Sequence, residues 1–329
     1  MNIEGKQVVV TGAAGFIGSH LIEELVARKA HPTAFVHYNS EGRLGNLAHI
    51  PSHVLEQVRI VFGDLNSYES IRHVTKGADI VLHLGALISV PYSYADPRGL
   101  FQTNVMGTLN VLLACMENGV SRVLHMSTSE VYGNPDLLPI IETAPLRAQS
   151  PYSASKIAAE KLVESFSLSY GLSAVTVRAF NTYGPRQSVR AIVPHLVRTI
   201  SEYAEVHVGN TDTSRDFLFV SDTVAGIVAA IECDALVGEC VNLGTGDRHT
   251  IDQVIVAVGD LCGVSARIVV DPHRFRPEAS EVQRLQADWS KMHKLTGWTP
   301  EISLTSGLVR TLEWVTSTND RPVRKEGWV

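Results

Sequence analysis

The sequence predicts an α/β protein with a doubly wound parallel sheet and a smaller C-terminal lobe. Over the first half of the chain, short β-branched apolar runs alternate with longer segments of helical periodicity, which is typical of repeated βαβ units. After about residue 180 the alternation loosens, and proline steps interrupt shorter elements. We therefore predict a main domain over residues 1–180 and a lobe over residues 181–329, some segments of which return to the main sheet.

The predicted strands are short apolar runs rich in β-branched residues. They are expected at residues 7–11, 33–37, 58–62, 79–83, 121–126 and 173–178. Helices are expected between the first two strands, over residues 97–118 and over residues 151–170, where apolar residues recur with the helical period. Gly119 follows the second of these helices in a C′-like position, and Thr250 with Gln253 predicts a capping box that opens a helix to about Cys262.

Composition and charge exclude several classes of protein. Of the 329 residues, 45% are hydrophobic and 19% charged, and the formal net charge of −6 argues against a general nucleic-acid or membrane binder. Apolar runs such as residues 224–231 are too short to span a bilayer, and the N-terminus has no signal-peptide pattern, so we expect a cytoplasmic protein. The four cysteines lack metal-ligand spacing, so no metal site is expected. The polar tail from Ser317 onward is expected to be mobile.

A glycine-rich turn follows the first predicted strand. Gly12, Gly15 and Gly18 stand there, and a helix begins near Phe16 and Ile17. Glycine lets the backbone approach a pyrophosphate closely, and the free N–H groups of the helix start face that anion. In this position the turn predicts a Rossmann-type dinucleotide site, and the alternative is a tight turn that binds nothing.

The end of the second strand bears on which dinucleotide binds. An NAD ribose is usually held by a carboxylate at this point. Here the chain has His37, Asn39 and Ser40, with Arg43 shortly after, and we assign these four residues to the cofactor site. A 2′-phosphate would meet no repelling carboxylate and could meet a cation. NAD and NADP both remain open.

Tyr152 and Lys156 form the strongest catalytic pattern. Ser150 is a good N-cap and Pro151 suits the first helical position, so Tyr152 and Lys156 are expected one turn apart on one helix face. An ammonium group close to a tyrosine hydroxyl favours the phenolate. The pair is therefore suited to take a proton from an alcohol while a hydride leaves the carbon.

Three hydroxyl side chains and a carboxylate follow the fifth predicted strand, namely Ser127, Thr128, Ser129 and Glu130. In open parallel sheets, ligands bind outside the carboxyl ends of the strands, so these side chains are expected to face a substrate. The hydroxyls can bind sugar oxygens, and Glu130 can act on a carbon. Alternatively, Glu130 caps a loop or pairs with an arginine.

Taken together, these patterns resemble the extended short-chain dehydrogenases/reductases that act on nucleotide sugars. The resemblance spans nearly the whole chain and rests on TGAAGFIGSH, HLGALISVPYSY, TNVMGTLNVL, STSEVYG, SPYSASK, RAFNTYGPRQ and SRDFLFVSDTV. The segments HYNS, ALISVPYSY, NTYGPRQS, TSRDF and FRPEASEVQRL are similar to the hexosamine-nucleotide 4,6-dehydratases of legionaminic-acid-type pathways. The resemblance implies an NAD(P)-dependent lyase acting on UDP- or GDP-N-acetylglucosamine, and the nucleotide stays undecided.

The resemblance also implies catalytic roles. Thr128 and Tyr152 would contact the C4 oxygen while the cofactor oxidises C4, and Glu130 would take the C5 proton as water leaves C6. Hydride return to C6 would give a 4-keto-6-deoxy sugar. Many relatives read S-T-D-E, whereas this chain has Ser129 at the position of the acid, as the GDP-mannose dehydratases do. Ser129 could only hydrogen-bond the leaving oxygen, so a protonated Glu130 would donate the proton. A 4-epimerase and a non-catalytic nucleotide-binding regulator are the alternatives.

Further binding residues follow from the same resemblance. Those assigned to the cofactor are Asp64, Leu65, Leu84, Ala86 and Asn104, and those assigned to the substrate are Ser89, Tyr92, Asn181, Arg186, Arg215 and Arg276. Asp64 could equally be a helix N-cap, Tyr92 could simply pack, and any one arginine could be a salt-bridge partner. His83 is expected to be a satisfied core histidine.

A homodimer is the assembly that the resemblance implies. Helices 97–118 and 151–170 would form a four-helix seam between two subunits. Leu109, Leu112, Leu113 and Met116 could serve that seam or the core.

Overall fold

A seven-stranded parallel sheet lies at the centre of the computed structural model, which describes residues 1–318. The strands are β1 (Gln7–Thr11), β2 (His31–His37), β3 (Arg59–Gly63), β4 (Ile80–His83), β5 (Arg122–Thr128), β6 (Ala174–Ala179), β7 (Asn181–Tyr183), β8 (Glu205–Val208), β9 (Ser214–Phe219), β10 (Cys240–Leu243), β11 (Arg248–Thr250) and β12 (Arg267–Val270). The central order is β10-β6-β5-β4-β1-β2-β3, so the direction of winding reverses between β1 and β4. Ligands of such sheets bind at this reversal, outside the carboxyl ends of the strands.

The helices surround this sheet and connect its strands. They are α1 (Phe16–Ala27), α2 (Ser52–Leu55), α3 (Tyr68–Val74), α4 (Val90–Ala95), α5 (Pro97–Phe101), α6 (Gly107–Glu117), α7 (Pro151–Tyr170), α8 (Ile192–Tyr203), α9 (Val220–Glu232), α10 (Ile251–Cys262), α11 (Ser290–Thr296) and α12 (Leu304–Ser317). The tail from Ser317 onward was predicted to be mobile. Ser317 ends α12, and residues 319–329 lie outside the described part of the chain.

All six predicted strands are present, with boundaries that differ by at most two residues. The most informative difference is at β5, which was expected to end at residue 126. It continues through Ser127 and Thr128 because these residues pair with Arg178 and Ala179 of β6. Backbone pairing therefore fixes the two hydroxyl residues at the carboxyl edge of the sheet.

Two apolar clusters cover the two faces of the sheet. On one face, Leu21 and Ile227 of α1 and α9 pack with Val8 and other β-strand residues. On the other face, Leu112 of α6 belongs to the second cluster. Full burial of one such side chain contributes roughly 1.5–3 kcal/mol to the free energy of unfolding. Successive valines of β1 face opposite sides of the sheet, so their burial is a strong determinant of which helices pack on each side.

The helix predicted over residues 97–118 is present as α5, a π-helical turn at Gln102–Met106, and α6. Gly119 has a φ of +65°, as its predicted C′ position requires. By length and composition Pro97–Glu117 could cross a membrane, contrary to the expectation that every apolar run is too short. In this fold it packs against α3 and α7. Of the four seam candidates, Leu112 is buried in the core, whereas Met116 is 40% exposed.

The second half of the chain forms two small sheets and also returns to the central one. The small sheets have the orders β11-β9-β7 and β12-β8, while β10 pairs with β6 at the edge of the main sheet. The helix from Thr250 has the predicted capping box, in which Thr250 and Gln253 bond each other's backbone N–H groups. A division into domains at residue 180 stays a prediction.

Candidate active site

The glycine turn forms a cradle at the reversal point of the sheet. Gly12 has a φ of +71°, and a Cβ atom there would lie 2.8 Å from the backbone nitrogen of Gly85, after β4. A Cβ atom on Gly18 would collide with the carbonyl oxygen of Gly12. Only glycine allows β1, β4 and α1 to approach this closely. Because glycine has no side chain, the backbone of this turn is also accessible to an anion.

The start of α1 is open to such an anion. Gly15 is the N-cap, and no described side chain caps the helix or places an acid in its first turn. The N–H groups at Phe16 and Ile17 therefore lie in the first turn of a 12-residue helix without a side-chain partner. A glycine cradle beside an uncapped helix start fits the pyrophosphate of a dinucleotide.

The predicted ribose end of the cofactor site lies after β2. Asn39 holds this loop, since its side chain bonds the backbone N–H of Arg43 at 2.7 Å and the Arg43 carbonyl at 3.0 Å. His37 and Ser40 are exposed beside it. The expectation that no carboxylate lies here was wrong, because Glu41 forms an ion pair with the Arg43 guanidinium.

The segments after β3 and β4 pack together under the cradle. A Cβ atom on Gly85 would lie 2.7 Å from Leu65 Cδ1, and Leu84 donates its N–H to the Thr11 carbonyl at 3.2 Å. Ala86 is half-buried in the same segment. The carboxylate of Asp64 accepts the N–H of Asn66 at 2.9 Å. Ser67, not Asp64, caps α3, so the N-cap alternative for Asp64 was wrong.

Asn104 joins this segment to α7. It lies in the π-helical turn and bonds both the N–H and the carbonyl of Leu87, at 2.8 and 2.9 Å. Its amide also donates to the hydroxyl of Ser155, next to Lys156, at 3.0 Å. A buried side chain with three such bonds orders the backbone on both sides of the site.

His83 is fully satisfied inside the sheet, as predicted. Its Nδ1 lies 2.7 Å from the Thr11 hydroxyl, which accepts the N–H of Gly85, and its Nε2 lies 3.1 Å from the Thr108 hydroxyl. Thr108 donates its own proton to the Asn104 carbonyl at 2.6 Å, so His83 carries its proton on Nε2. Burial, and secondarily the charge of Lys156, lowers the pKa of His83 to about 3.

The Tyr152 phenol meets Thr128 and Glu130 at the carboxyl end of β5. Burial raises the pKa of Tyr152, a hydrogen bond with Thr128 lowers it, and the charge of Glu130 raises it again. The Thr128 hydroxyl accepts the N–H of Glu130 at 3.2 Å, so its proton can be donated to the phenol oxygen. The structure therefore brings together three of the five predicted catalytic residues.

Lys156 lies on the same face of α7, one turn after Tyr152. Its ammonium donates to the Met126 carbonyl at 2.7 Å and lies 3.4 Å from His125 Nε2. None of the described hydrogen bonds joins it to the Tyr152 hydroxyl. Burial lowers the pKa of Lys156 to about 8, and the charge of Glu160 opposes that shift.

Glu130 faces two arginines of the second half of the chain. Its carboxylate lies 3.6 Å from Arg276 Nη1, and Glu281 lies 3.9 Å from the same nitrogen and 3.5 Å from Arg215 Nη2. These are ion-pair distances without hydrogen bonds, and Arg276 Nη1 is buried with no hydrogen-bond partner among the described residues. Two guanidinium groups, each with unused hydrogen-bonding capacity, thus lie near the carboxylate of Glu130.

The remaining predicted residues are more scattered. Ser129 is buried next to Glu130, and Ser89 caps α4 by accepting the N–H of Tyr92 at 3.2 Å. The Tyr92 hydroxyl bonds Asp96 at 3.3 Å, and Asn181 begins β7.

Arg186 has a different environment from the other two arginines. Its Nη1 pairs with Glu23 of α1 at 2.5 Å, and its guanidinium lies over the Trp314 ring at 5.9 Å. The structure therefore does not bring Arg186 into the cluster with Glu130. Its ion pair agrees with the alternative left open for any single arginine, and its assignment to the substrate stays a prediction.

Three residues of the site were not predicted: His125, Glu160 and Glu281. Glu160 had a signal in the sequence, because it follows Lys156 by one helical turn. His125 lies in register with His83 on the neighbouring strand, and its Nδ1 has no partner among the described residues. No sequence pattern indicates that Glu281 meets Arg215.

A bare glycine cradle, an uncapped helix start and a buried Tyr-Lys pair define an NAD(P)-binding short-chain dehydrogenase/reductase. The comparisons with known proteins agree. The family described as GDP-mannose 4,6 dehydratase matches residues 9–311, and the chain belongs to this family of extended short-chain dehydrogenases/reductases. It is an enzyme of the NAD(P)-dependent nucleotide-sugar dehydratase and epimerase class.

Individual relatives carry several activities in their names. An uncharacterised UDP-glucose epimerase, YtcB of Bacillus subtilis (strain 168), is 31% identical, covering 94% of this chain and 98% of its own. The dTDP-glucose 4,6-dehydratase of Streptomyces griseus is 32% identical, covering 93% of each chain. The structure of TunA, an NAD-dependent NDP-hexosamine 5,6-dehydratase involved in tunicamycin biosynthesis, superposes with a TM-score of 0.84 at 28% identity, covering 95% of this chain and 99% of that one.

Proposed function

We propose that the protein is a nucleotide-sugar 4,6-dehydratase that converts UDP- or GDP-N-acetylglucosamine to its 4-keto-6-deoxy derivative. The observation that carries the proposal is the position of Glu130, whose charge acts on the Tyr152 phenol and whose N–H bonds Thr128. Oxidation at C4 needs the phenol and the lysine but no second base. A carboxylate on the same small patch is what removal of a carbon-bound proton requires.

The first step uses the phenol. NAD(P)+ bound in the glycine cradle supplies the hydride acceptor for C4 and returns that hydride to the sugar. Tyr152 takes the proton of the C4 hydroxyl, and the Thr128 hydroxyl orients the same oxygen. Burial raises the pKa of Tyr152. In the proposed step, the Lys156 ammonium, one turn away on the same helix face, favours the phenolate when the sugar hydroxyl is bound.

The elimination uses Glu130. A ketone at C4 acidifies the C5 proton, which moves to the Glu130 carboxylate as the C5–C6 double bond forms. The C6–O bond breaks, Ser129 hydrogen-bonds the departing oxygen, and the proton now on Glu130 completes the water molecule. One carboxyl group thus serves first as base and then as acid, since a serine hydroxyl is too weak an acid to donate fully. Hydride addition at C6 leaves an enolate that needs a proton at C5, and Glu130 delivers this proton after taking it up from solvent.

The arginines couple this chemistry to substrate binding. Arg215 and Arg276 face carboxylates at distances longer than hydrogen bonds, so the oxygens of a diphosphate would offer both guanidinium groups better partners. If Arg276 turns to the diphosphate, the Glu130 carboxylate loses its ion-pair partner and is free to approach the sugar. Substrate binding would then activate the residue that takes the C5 proton.

Product mass tests the proposal. The protein is incubated with UDP- and GDP-N-acetylglucosamine, and the products are weighed by mass spectrometry. We expect a product lighter by one water, and Glu130→Gln should abolish that loss. Glu278→Gln is the matched control, because it changes an exposed carboxylate two residues after Arg276 that does not act on Tyr152. An isomer of unchanged mass from the wild-type protein would contradict the proposal.

A 4-epimerase is the second candidate function. Ser129 favours it, because many dehydratases have an acid at this position to assist the departure of water, and an epimerase needs none. The name of the Bacillus subtilis relative points the same way. An epimerase would give an isomer of the substrate with both wild-type protein and the Glu130→Gln variant, so the same assay separates the two functions.

A further inference from the structure

A buried polar network lies under the S-T-S-E segment, and the steps proposed above do not use it. Glu160 of α7 is at its centre, with only 6% of its surface exposed. Its carboxylate accepts the Ser127 hydroxyl and bonds Arg178 of β6 at 2.6 to 3.2 Å. Arg178 in turn bonds the Tyr132 hydroxyl at 2.9 Å.

Glu160 is also the third member of a polar stripe on α7. Tyr152, Lys156 and Glu160 follow each other at intervals of one helical turn, and each is less than 10% exposed. One carboxylate therefore reaches two parts of the active site. It holds Ser127, the residue before Thr128, and it lies one turn from the Lys156 ammonium.

We propose that Glu160 is a positioning residue of the reaction, which keeps Lys156 charged and fixes the end of β5 on which Thr128 and Glu130 stand. The proposal rests on the proposed function for its catalytic meaning, because it extends the roles of Lys156 and Thr128. Its physical basis is independent of the sugar. A lysine buried in the protein needs a nearby anion to stay protonated, and Glu160 is the carboxylate that acts on it.

The charges around Lys156 come from several elements. His83 of β4 and His125 of β5 are buried beside it, and burial lowers the pKa of each, so both stay neutral. Arg178 of β6 neutralises part of the charge of Glu160. Burial raises the pKa of Tyr152 of α7, so the phenol adds no negative charge. Glu160 therefore supplies the negative charge that favours the ammonium form.

A purely structural role is the competing explanation. Buried Glu-Arg pairs are common, and loss of one partner leaves an uncompensated charge that lowers stability. Such a role would lower activity by the same factor at every pH. A role through Lys156 has a different signature, because the alkaline limb of the activity profile follows the pKa of that lysine.

The test compares Glu160→Gln with Glu142→Gln. Glutamine keeps the shape of Glu160 and one accepting oxygen, but it removes the charge and puts a donor in place of the second oxygen that accepts from Arg178. Glu142 is a matched control, since its carboxylate belongs to the same network through Asn242 at 2.9 Å without contacting Ser127 or acting on Lys156. In the dependence of kcat/KM on pH, we expect Glu160→Gln to shift the midpoint of the alkaline limb to a pH lower by about one unit. Glu142→Gln should leave that midpoint unchanged.

A direct titration gives a second readout. Full-length protein with its cofactor is labelled with 13C-lysine, and the ε-carbon signal of Lys156, identified by its loss in Lys156→Met, is followed against pH. The midpoint should fall by about one pH unit in Glu160→Gln. This measurement needs no substrate. The inference can therefore be correct when the proposed function is wrong, and the proposed function can be correct when the inference is wrong.

The result that overturns the inference is an unmoved midpoint and an unmoved alkaline limb in Glu160→Gln. If that variant does not fold, Glu160→Gln/Arg178→Met replaces it, because removal of both charges leaves none unpaired. A smaller downward shift is expected there, because Arg178 already offsets part of the Glu160 charge, and an unmoved midpoint again overturns the inference. Ser127→Ala tests the second contact: it should lower kcat without moving the limb, and an unchanged kcat would remove Ser127 from the proposal.

Discussion

At the scale of single residues, the site is organised around the ionisation of one phenol. Burial raises the pKa of Tyr152 while the Thr128 hydroxyl lowers it, and Lys156 adds a nearby positive charge. These contributions to the pKa of Tyr152 oppose each other. In the proposed mechanism, the phenol becomes a base when a substrate hydroxyl and an oxidised nicotinamide complete its surroundings.

Replacement of this phenol is the first prediction. Tyr152→Phe should lower turnover roughly 100- to 10,000-fold, the usual contribution of a general acid-base group. Thermal melting should change little, because the ring still packs. Tyr170→Phe is the matched control, since Tyr170 ends the same helix and is 60% exposed. Turnover that survives Tyr152→Phe would favour a non-catalytic nucleotide-binding regulator over the enzyme proposed here.

The arginine beside Glu130 gives the second prediction. Arg276→Ala should raise the KM for a nucleotide sugar by roughly 10- to 100-fold, because a charged hydrogen bond to the diphosphate is lost. Arg274→Ala is the control, since Arg274 forms a half-exposed ion pair with Asp271 at 3.4 Å. Steady-state kinetics of both variants is the measurement. Equal KM values for the two variants would remove Arg276 from the diphosphate site.

At the scale of elements, α7 and the paired strands β4 and β5 decide where the chemistry lies. Ser150 and Pro151 start α7 in the manner that their sequence predicts, with Ser150 and Ser153 forming a capping box. The π-helical turn that carries Asn104 was not predictable, because its sequence differs little from ordinary helix and tertiary bonds to Leu87 and Ser155 stabilise it.

The buried histidine of β4 gives a prediction about acid stability. His83 has a pKa of about 3 in the fold, below the ordinary value of 6.5, so the unfolded chain binds a proton first as the pH falls. Its contribution to stability is present above pH 6.5 and is lost progressively from there toward pH 3, by about 1.4 kcal/mol per pH unit. Denaturant unfolding at several pH values measures this slope.

The variant His83→Gln isolates that contribution. It should flatten the dependence of the unfolding free energy on pH between 6.5 and 3, whereas His53→Gln, at an exposed position, should not. The slope is the readout, since either substitution can change stability at neutral pH. An unchanged slope in His83→Gln would show that this histidine is not held neutral by burial.

At the scale of the whole molecule, the first half was far easier to predict than the site between the two halves. Local patterns determine β1, the glycine turn and the Tyr152 helix, because a strand, a tight turn and a cap each depend on neighbours in sequence. The arrangement around Glu130 depends on residues far apart along the chain. Asn134 and Glu281, for example, are 147 residues apart and hydrogen-bonded. Composition and spacing carry no information on such pairs.

The same reasoning applies to Arg186 and Glu41. Arg186 was placed with the diphosphate because its motif resembles that of relatives, and only the fold reveals its pairing with Glu23. Glu41 is adjacent in sequence to the cofactor loop but was overlooked as a partner of Arg43. A homodimer through helices 97–118 and 151–170 stays a prediction, for which the exposed Met116 is the residue to examine.

The most direct measurement is turnover of UDP- or GDP-N-acetylglucosamine in D2O, followed by mass spectrometry and NMR of the product. If Glu130 removes the C5 proton, the 4-keto-6-deoxy product carries solvent deuterium at C5, and Glu130→Gln forms none of it. A product that retains the C6 hydroxyl and contains no deuterium would contradict the account, because C5 would never have been deprotonated.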